Sequence, residues 1–123
     1  MREVQVKAVL PKPPSVGTLW RMTSKPFPRM YMTARGKQWF TDAGWLWKQA
    51  QGRRKTITGE VELEIDLYYC RPIDLDNVLK CGLDSLTKSG VVVDDNQVAG
   101  INIHRYKVAT MKEERLEIEL FEL

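Results

Sequence analysis

Apolar and polar residues alternate through "EVELEIDLYY", residues 60–69, so that Val61, Leu63, Ile65, Leu67 and Tyr69 share one side of an extended chain. A two-residue period of this kind predicts a strand with one buried face. Val4, Val6, Ala8 and Leu10 alternate in the same way and predict a strand over residues 3–10. Residues 98–108 and 115–121 predict two more, the last with Leu116, Ile118 and Leu120 facing inward. A longer period governs two other segments. Trp39, Ala43, Leu46, Trp47 and Ala50 fall on one face of a helix over 34–51, with Thr33 placed to cap it. Trp45 falls on the opposite side, where a subunit interface, a stacked ligand and cover by a neighbouring loop are all open readings. From Leu75, apolar or small residues at 75, 78, 79, 82, 83 and 86 trace the stripe of a second helix, which ends near 88 in "KSG", a basic last turn followed by a glycine stop. Strands predominate around two helices without βαβα alternation. The chain therefore reads as a single α+β domain over residues 1–123, a mixed sheet packed with two main helices.

The connecting segments carry most of the positive charge. "PKPPSVGTLWRMTSKPFPRMY", residues 11–31, holds five of the six prolines and is predicted to be a loop. A loop that long inside a compact domain is usually functional. Here Lys12, Arg21, Lys25 and Arg29 are interleaved with Trp20, Phe27 and Tyr31, a mixture suited to phosphate contact and to packing against bases or sugars. A second basic loop, "GRRKTITG" over 52–59, adds Arg53, Arg54 and Lys55. The net charge of +3 hides a strong asymmetry. Residues 1–60 carry 12 Lys/Arg against 3 Asp/Glu, and residues 61–123 carry 7 against 13. A basic half points to a polyanionic partner, whereas scatter over a solvated surface is the plainer reading of the same imbalance. Two cysteines and one histidine leave no tetrahedral Cys/His metal site, and free thiols fit a reducing compartment. No apolar run approaches the length of a membrane span and the N-terminal residues form no signal-like core, so a cytoplasmic location and no membrane partner are expected.

Against this background the acidic residues around the second helix stand out. "RPIDLDNVLK", residues 71–80, sets Asp74 at the expected N-cap and Asp76 in the first turn, and "VVVDDNQ" follows the helix with Asp94 and Asp95. Taken singly, each pair has an ordinary explanation: aspartates favour helix N-termini and turns. If Val91–Val93 is a short strand returning beside the helix, Asp95 is carried to the helix start or its flank. Three converging carboxylates would repel and raise one another's pKa unless a cation sat among them. Oxygen-only ligands suit a hard divalent ion, most often Mg²⁺, which polarises a phosphoryl oxygen and supplies hydroxide for in-line attack. Lys80, one turn beyond Asp76, is placed either to bind phosphate and stabilise developing charge or simply to pair with Asp76 along the helix. An acidic metal centre served by basic, aromatic-bearing loops describes a metal-dependent nuclease.

The same residues resemble a known family. "DLDNVLKCGLDSLTKSGVVVDDNQV", residues 74–98, is similar to the signature of RusA-type Holliday junction resolvases: a DLDN motif, a lysine four residues after its second aspartate, an L-D-x-L-T-K-x-G helix end and a DD pair before Q-V. A weaker likeness extends through "PKPPS" and "YMTARGKQWF" to the C-terminal strands. The resemblance implies a RusA-like fold and a homodimeric, Mg²⁺-dependent endonuclease, with Mn²⁺ as an alternative ion, that places paired nicks across four-way or branched DNA. It implies metal-binding and catalytic roles for Asp74, Asp76 and Asp95 and an essential positive role for Lys80, with Asp94 supporting the site or its turn. Two copies of one site also match the two-fold symmetry of a four-way junction. Some family members carry a run of arginines before DLDN, where this chain has "CRPIDLDN" with Arg71 as the basic residue. A non-catalytic branched-DNA-binding module and a small phosphohydrolase acting on nucleotides are the competing readings.

Overall fold

The computed structural model describes residues 3–24 and 27–123; Lys25, one of the expected DNA contacts, lies outside them. Strand β1 (Val6–Leu10) buries Val6, Ala8 and Leu10, as its alternation demands. It is followed by a one-turn helix α1 (Val16–Leu19), strands β2 (Trp20–Thr23) and β3 (Arg29–Met32), and helix α2 (Ala34–Gln51). Strand β4 (Val61–Tyr69), helix α3 (Leu75–Ser89), strand β5 (Val98–Lys107) and strand β6 (Arg115–Glu122) complete the order. The main sheet runs β1-β6-β4-β5, antiparallel except for the parallel pair β4 and β5. Adjacent parallel strands need a long crossover, and α3 supplies it. The first residues of α3 consequently stand beyond the carboxyl end of β4, the end of a parallel strand where α/β sheets commonly place ligand sites.

One cluster of buried side chains holds the layers together. Leu63, Ile65 and Leu67 from β4, with Leu116, Ile118 and Leu120 from β6, meet Trp39, Ala43 and Trp47 from α2 and Val78, Cys81 and Leu86 from α3. Thr33 caps α2 by accepting from the Gly36 N–H at 3.1 Å. The Trp47 indole, fully buried, donates to Ser85 Oγ at 3.0 Å, and Ser85 donates in turn to the Gly82 carbonyl at 2.7 Å. The polar end of the largest core side chain is thereby satisfied between the two helices. Trp45 points the other way and is 65% exposed, so among the described residues no loop covers it.

The opposite face of the sheet is acidic. Cross-strand partners Asp66 and Glu117, and Glu64 and Glu119, share it with Glu62. Lys7 pairs there with Glu117 and Glu119, and Arg115 with Glu117. Burial first, then repulsion from Glu117, Glu119 and Glu64, pushes the Asp66 carboxyl up despite the opposing His104. Five of the 13 acidic residues of 61–123 thus share one sheet face, and the others lie on α3, its flanking turns and the C-terminal segment.

Two expectations change. Residues 11–31 are more than a loop, since β2 and β3 form a separate two-stranded ribbon. Pro11, Pro13 and Pro14 precede α1 and Pro28 precedes β3, so none of them breaks the ribbon's ladder. Val91–Val93 form no strand. Val92 makes a single parallel bridge to Ile57, which ties this segment to the 52–59 loop. Among the described residues no helix is long and apolar enough to cross a membrane.

The two tryptophans of α2 give a direct test of the packing. Trp47→Ala should cost about 3–5 kcal/mol in urea unfolding, as for a large buried side chain, and Trp45→Ala less than about 0.5 kcal/mol, as for an open surface position. Equal losses would mean that the two faces of α2 are not distinguished by burial, and reversed losses that they have been exchanged.

Candidate active site

The chain leaves β4 through Cys70–Ile73 and enters α3 at Asp74, its N-cap. Three hydrogen bonds of 2.8 Å converge on one oxygen of Glu114 and shape this link. Lys12 Nζ and the backbone N–H groups of Cys70 and Arg71 all donate to Glu114 Oε2. Lys12 also donates to the Arg71 carbonyl at 2.8 Å. Burial pushes the Glu114 carboxyl up, but the Lys12 ammonium and the two N–H groups outweigh it and bring its pKa down to about 2. On the far side, Asn77 is buried and donates from Nδ2 to the Pro14 carbonyl at 2.9 Å. The Trp39 indole donates to the Pro11 carbonyl at 2.9 Å. The PKPPS segment is therefore pinned to both helices beside the DLDN turn.

Within that frame Asp74 is exposed and makes no side-chain cap hydrogen bond. The ordinary reason for an aspartate at this position, satisfying the free N–H groups of the first turn, does not operate here. Asp76, also exposed, accepts the Asn77 N–H at 2.9 Å. Lys80 is exposed and forms no ion pair among the described residues, so the helical pairing with Asp76 is absent. Two carboxylates and one ammonium are thus presented along the start of α3 without internal partners that neutralise them.

The acidic turn after α3 is built differently. Gly90 adopts a left-handed conformation (φ 82°) that ends the helix, and residues 95–97 form a 3-10 turn against it. Asp94 caps this turn by accepting the Asn96 N–H at 3.1 Å. Gln97 uses its whole amide: Oε1 accepts from the Val93 and Asp94 N–H groups, and Nε2 donates to the Ile57 and Gly59 carbonyls, all at 2.8–2.9 Å. Thr56 Oγ1 donates to the Gly90 carbonyl at 2.7 Å. The basic 52–59 loop and the acidic turn are consequently laced into one unit. The Asp94 carboxyl is held low, first by the Asn96 N–H and then by the Asp95 side chain. Asp95 is exposed and pushed up, chiefly by its hydrogen bond to Asp94, with Asp84 adding repulsion.

The expected convergence of Asp74, Asp76 and Asp95 is not formed. Among the described residues no three of His, Cys, Asp and Glu are grouped so as to hold a metal ion. The reason is geometric. Helix α3, with 15 residues, is about 22 Å long, and Asp74 and Gly90 cap opposite ends. The segment after Gly90 bridges to Ile57 through Val92, and the 3-10 turn that follows lies against α3 with Asp95 near enough to Asp84 to be repelled by it, without forming a cluster with Asp74 and Asp76.

The expected DNA contacts divide in the same way. Arg21 and Arg29 are exposed and occupy one face of the β2–β3 ribbon, where Arg21 pairs with Tyr31 and Thr23 with Arg29. Arg53, Arg54 and Lys55 are exposed on their loop, with Arg54 at 3.5 Å from Gln5 Oε1. Arg71 is exposed and only loosely paired with Glu114, at 4.0 Å. Lys12 departs from expectation. Its side chain is 12% exposed and committed to Glu114, so it is a structural cation and not a surface contact. Glu114 and Gln97, which shape the two acidic ends, escape a reading of the sequence alone, as does Arg35, exposed on the first turn of α2.

A family model described as endodeoxyribonuclease RusA matches residues 11–121, from the PKPPS segment to the end of β6. A crossover junction endodeoxyribonuclease, RusA of Enterobacteria phage HK97, is 33% identical over 98 residues, 79% of each chain. This chain belongs to the RusA family of endodeoxyribonucleases. Both acidic ends of α3, the basic ribbon and the 52–59 loop lie within the matched span. Strand β1 (Val6–Leu10) precedes it, yet β1 completes this RusA-family sheet through its ladder to β6.

Glu114 sets a pH dependence whose sign follows from its lowered pKa. Its contribution to stability is fully present above its ordinary value of 4.5 and is lost as the pH falls through about 2. Glu114→Gln should therefore lower the urea midpoint at neutral pH, and the gap to wild type should close as the pH drops from 4.5 toward 2. A gap independent of pH would show that the carboxylate charge does not hold this link.

Proposed function

We propose that residues 1–123 act as one structure-selective endonuclease domain, which resolves four-way DNA junctions by paired phosphodiester hydrolysis with Mg²⁺ or Mn²⁺ and works as a homodimer. The observation that carries this reading is the uncommitted carboxylate of Asp74 at the N-cap of α3, with Asp76 in the same turn and unpaired Lys80 one turn on. The name of the HK97 relative supports the junction as substrate. The donors are hard oxygens, and Mg²⁺ is commonly held by one or two carboxylates together with substrate phosphates. Asp74 and Asp76 meet that demand without an all-protein cage. When bound, such an ion polarises the scissile phosphate and lowers the pKa of an attacking water.

On this reading Asp74 and Asp76 hold the ion and orient the phosphate beside it, and Asp95 is the third carboxylate of the reaction. Lys80 offsets the charge that builds on the phosphoryl oxygens in the transition state. Asp94 fixes the turn that carries Asp95. Arg21, Arg29, Arg53, Arg54, Lys55 and Arg71 bind backbone phosphates along the arms, and their exposure leaves them free to do so. Two copies of the site present equivalent cuts to a substrate of two-fold symmetry.

Cleavage of a synthetic four-way junction tests the assignment. Asp74→Asn, Asp76→Asn and Asp95→Asn should each abolish nicking while gel-shift affinity survives, and Asp84→Asn serves as the neighbouring control. Full activity in the three variants would remove them from the site. Activity lost with Asp84→Asn but kept with Asp95→Asn would move the third carboxylate to α3.

Lys80→Ala should slow turnover by about 10²-fold or more, the scale of losing one transition-state donor, with little change in binding. Equal loss of both would make Lys80 a substrate anchor. Reversing Arg53 and Arg54 to Glu should weaken junction binding and flatten the salt dependence by about 0.9 in slope for each phosphate that is no longer neutralised. An unchanged slope would remove that loop from the interface.

A further inference from the structure

Between the PKPPS segment and the Arg71–Ile73 link lies an open cleft of about 430 Å³, and Ile73, in its wall, immediately precedes Asp74. Pro13, Pro14, Ile73 and Met111 give it apolar surface, and Arg35 and Arg71 line it from α2 and from the link. Lys12 and Glu114 also line it, but their side chains are 12% and 6% exposed and neutralise each other at 2.8 Å. The charge left for a ligand is therefore that of two guanidinium groups. The Arg35 side chain makes no hydrogen bond or ion pair among the described residues, and the contact of Arg71 with Glu114 is long, at 4.0 Å.

The walls are fixed to the acidic turn of α3. Asn77, on the first turn of that helix, holds the Pro14 carbonyl, and Glu114 holds Lys12 on one side and the Cys70 and Arg71 N–H groups on the other. Whatever occupies the cleft is thus kept in register with Asp74 and Asp76. Guanidinium pairs suit phosphate oxygens, and proline and isoleucine surfaces suit a deoxyribose ring.

We infer that this cleft seats the sugar–phosphate step next to the scissile phosphate on the cut strand, with its phosphate held between Arg35 and Arg71 and its sugar against Pro13, Pro14 and Ile73. The inference rests on the proposed nuclease reading and adds to it a positioning role for Arg35. Anchoring the neighbouring phosphate would fix the bond to be cut relative to the two carboxylates, which is how binding away from the reaction centre lowers a barrier.

The test is a cycle between Arg35→Ala and junctions carrying one neutral methylphosphonate at each phosphate flanking the cut, with binding measured in Ca²⁺ and single-turnover cleavage in Mg²⁺. For wild-type protein, one position directly beside the cut should lose affinity roughly tenfold, the scale of one charge-assisted hydrogen bond. Arg35→Ala should lose as much on the unmodified junction, lower the salt slope by about 1, and lose nothing further on the methylphosphonate junction. Arg35→Lys should recover part of the loss, and unchanged thermal melting should accompany all variants. If the two losses multiply, or if no adjacent position senses the substitution, the cleft does not hold that step. Failure of wild-type protein to cut any four-way junction would overturn the nuclease reading separately, because the binding cycle does not need turnover.

Discussion

A single carboxylate oxygen, Glu114 Oε2, receives an ammonium and two backbone N–H groups, and the link from β4 into α3 is arranged around it. Glu114 stands just before β6, whose ladder with β4 is central to the sheet. Lys12 brings the start of the basic segment to the same point, and Cys70 and Arg71 bring the exit from β4. A charged acceptor with charged and neutral donors is stronger than a neutral pair, and removing the acceptor would strand three donors in a partly buried place. The approach to Asp74 is thereby set by the sheet and not by the helix that follows.

Helix α3 then acts as a strut with different acidic devices at its two ends. At its start, Asp74 and Asp76 are exposed and Asn77 turns inward to hold Pro14. Beyond its end, the left-handed Gly90 releases the chain toward Ile57, and the Gln97 amide fastens the Asp94–Asp95 turn to the 52–59 loop. The basic 52–59 loop and the Asp94–Asp95 turn therefore share one connection. Burial of Val78, Cys81 and Leu86 under the sheet keeps the strut in place.

Periodicity makes most of this fold legible. The alternation of β4 and β6 and the stripes of α2 and α3 are local patterns with one-sided burial, and their boundaries fall within a few residues of expectation. The DLDN and DDNQV spacing points to the family through a likeness that the match over residues 11–121 bears out. What stays hidden depends on contacts distant in sequence. Nothing around Glu114, set in the charged run "KEERLEIE", distinguishes it from a solvated acid, because its partners are 102 residues away at Lys12 and 43 residues away at Arg71. Lys12 resembles a surface cation for the same reason. The β2–β3 ribbon is masked by the prolines that border it. The path after Gly90 is illegible because three valines fit equally a paired strand and a buried turn, and only the bridge from Val92 to Ile57 separates the two.

The acidic face of the sheet has a consequence for encounter with a polyanion. Glu62, Glu64, Asp66, Glu117 and Glu119 lie on the side away from the helices, whereas the cations of the ribbon, α2 and the 52–59 loop come from the other half of the sequence. A chain of small net charge therefore carries one acidic face. In the field of a nucleic acid such a body experiences a torque before it experiences contact, turning the sheet away and the basic elements forward. Orientation would then precede docking, and dissolved salt would blur the aim of the molecule as well as weaken its hold.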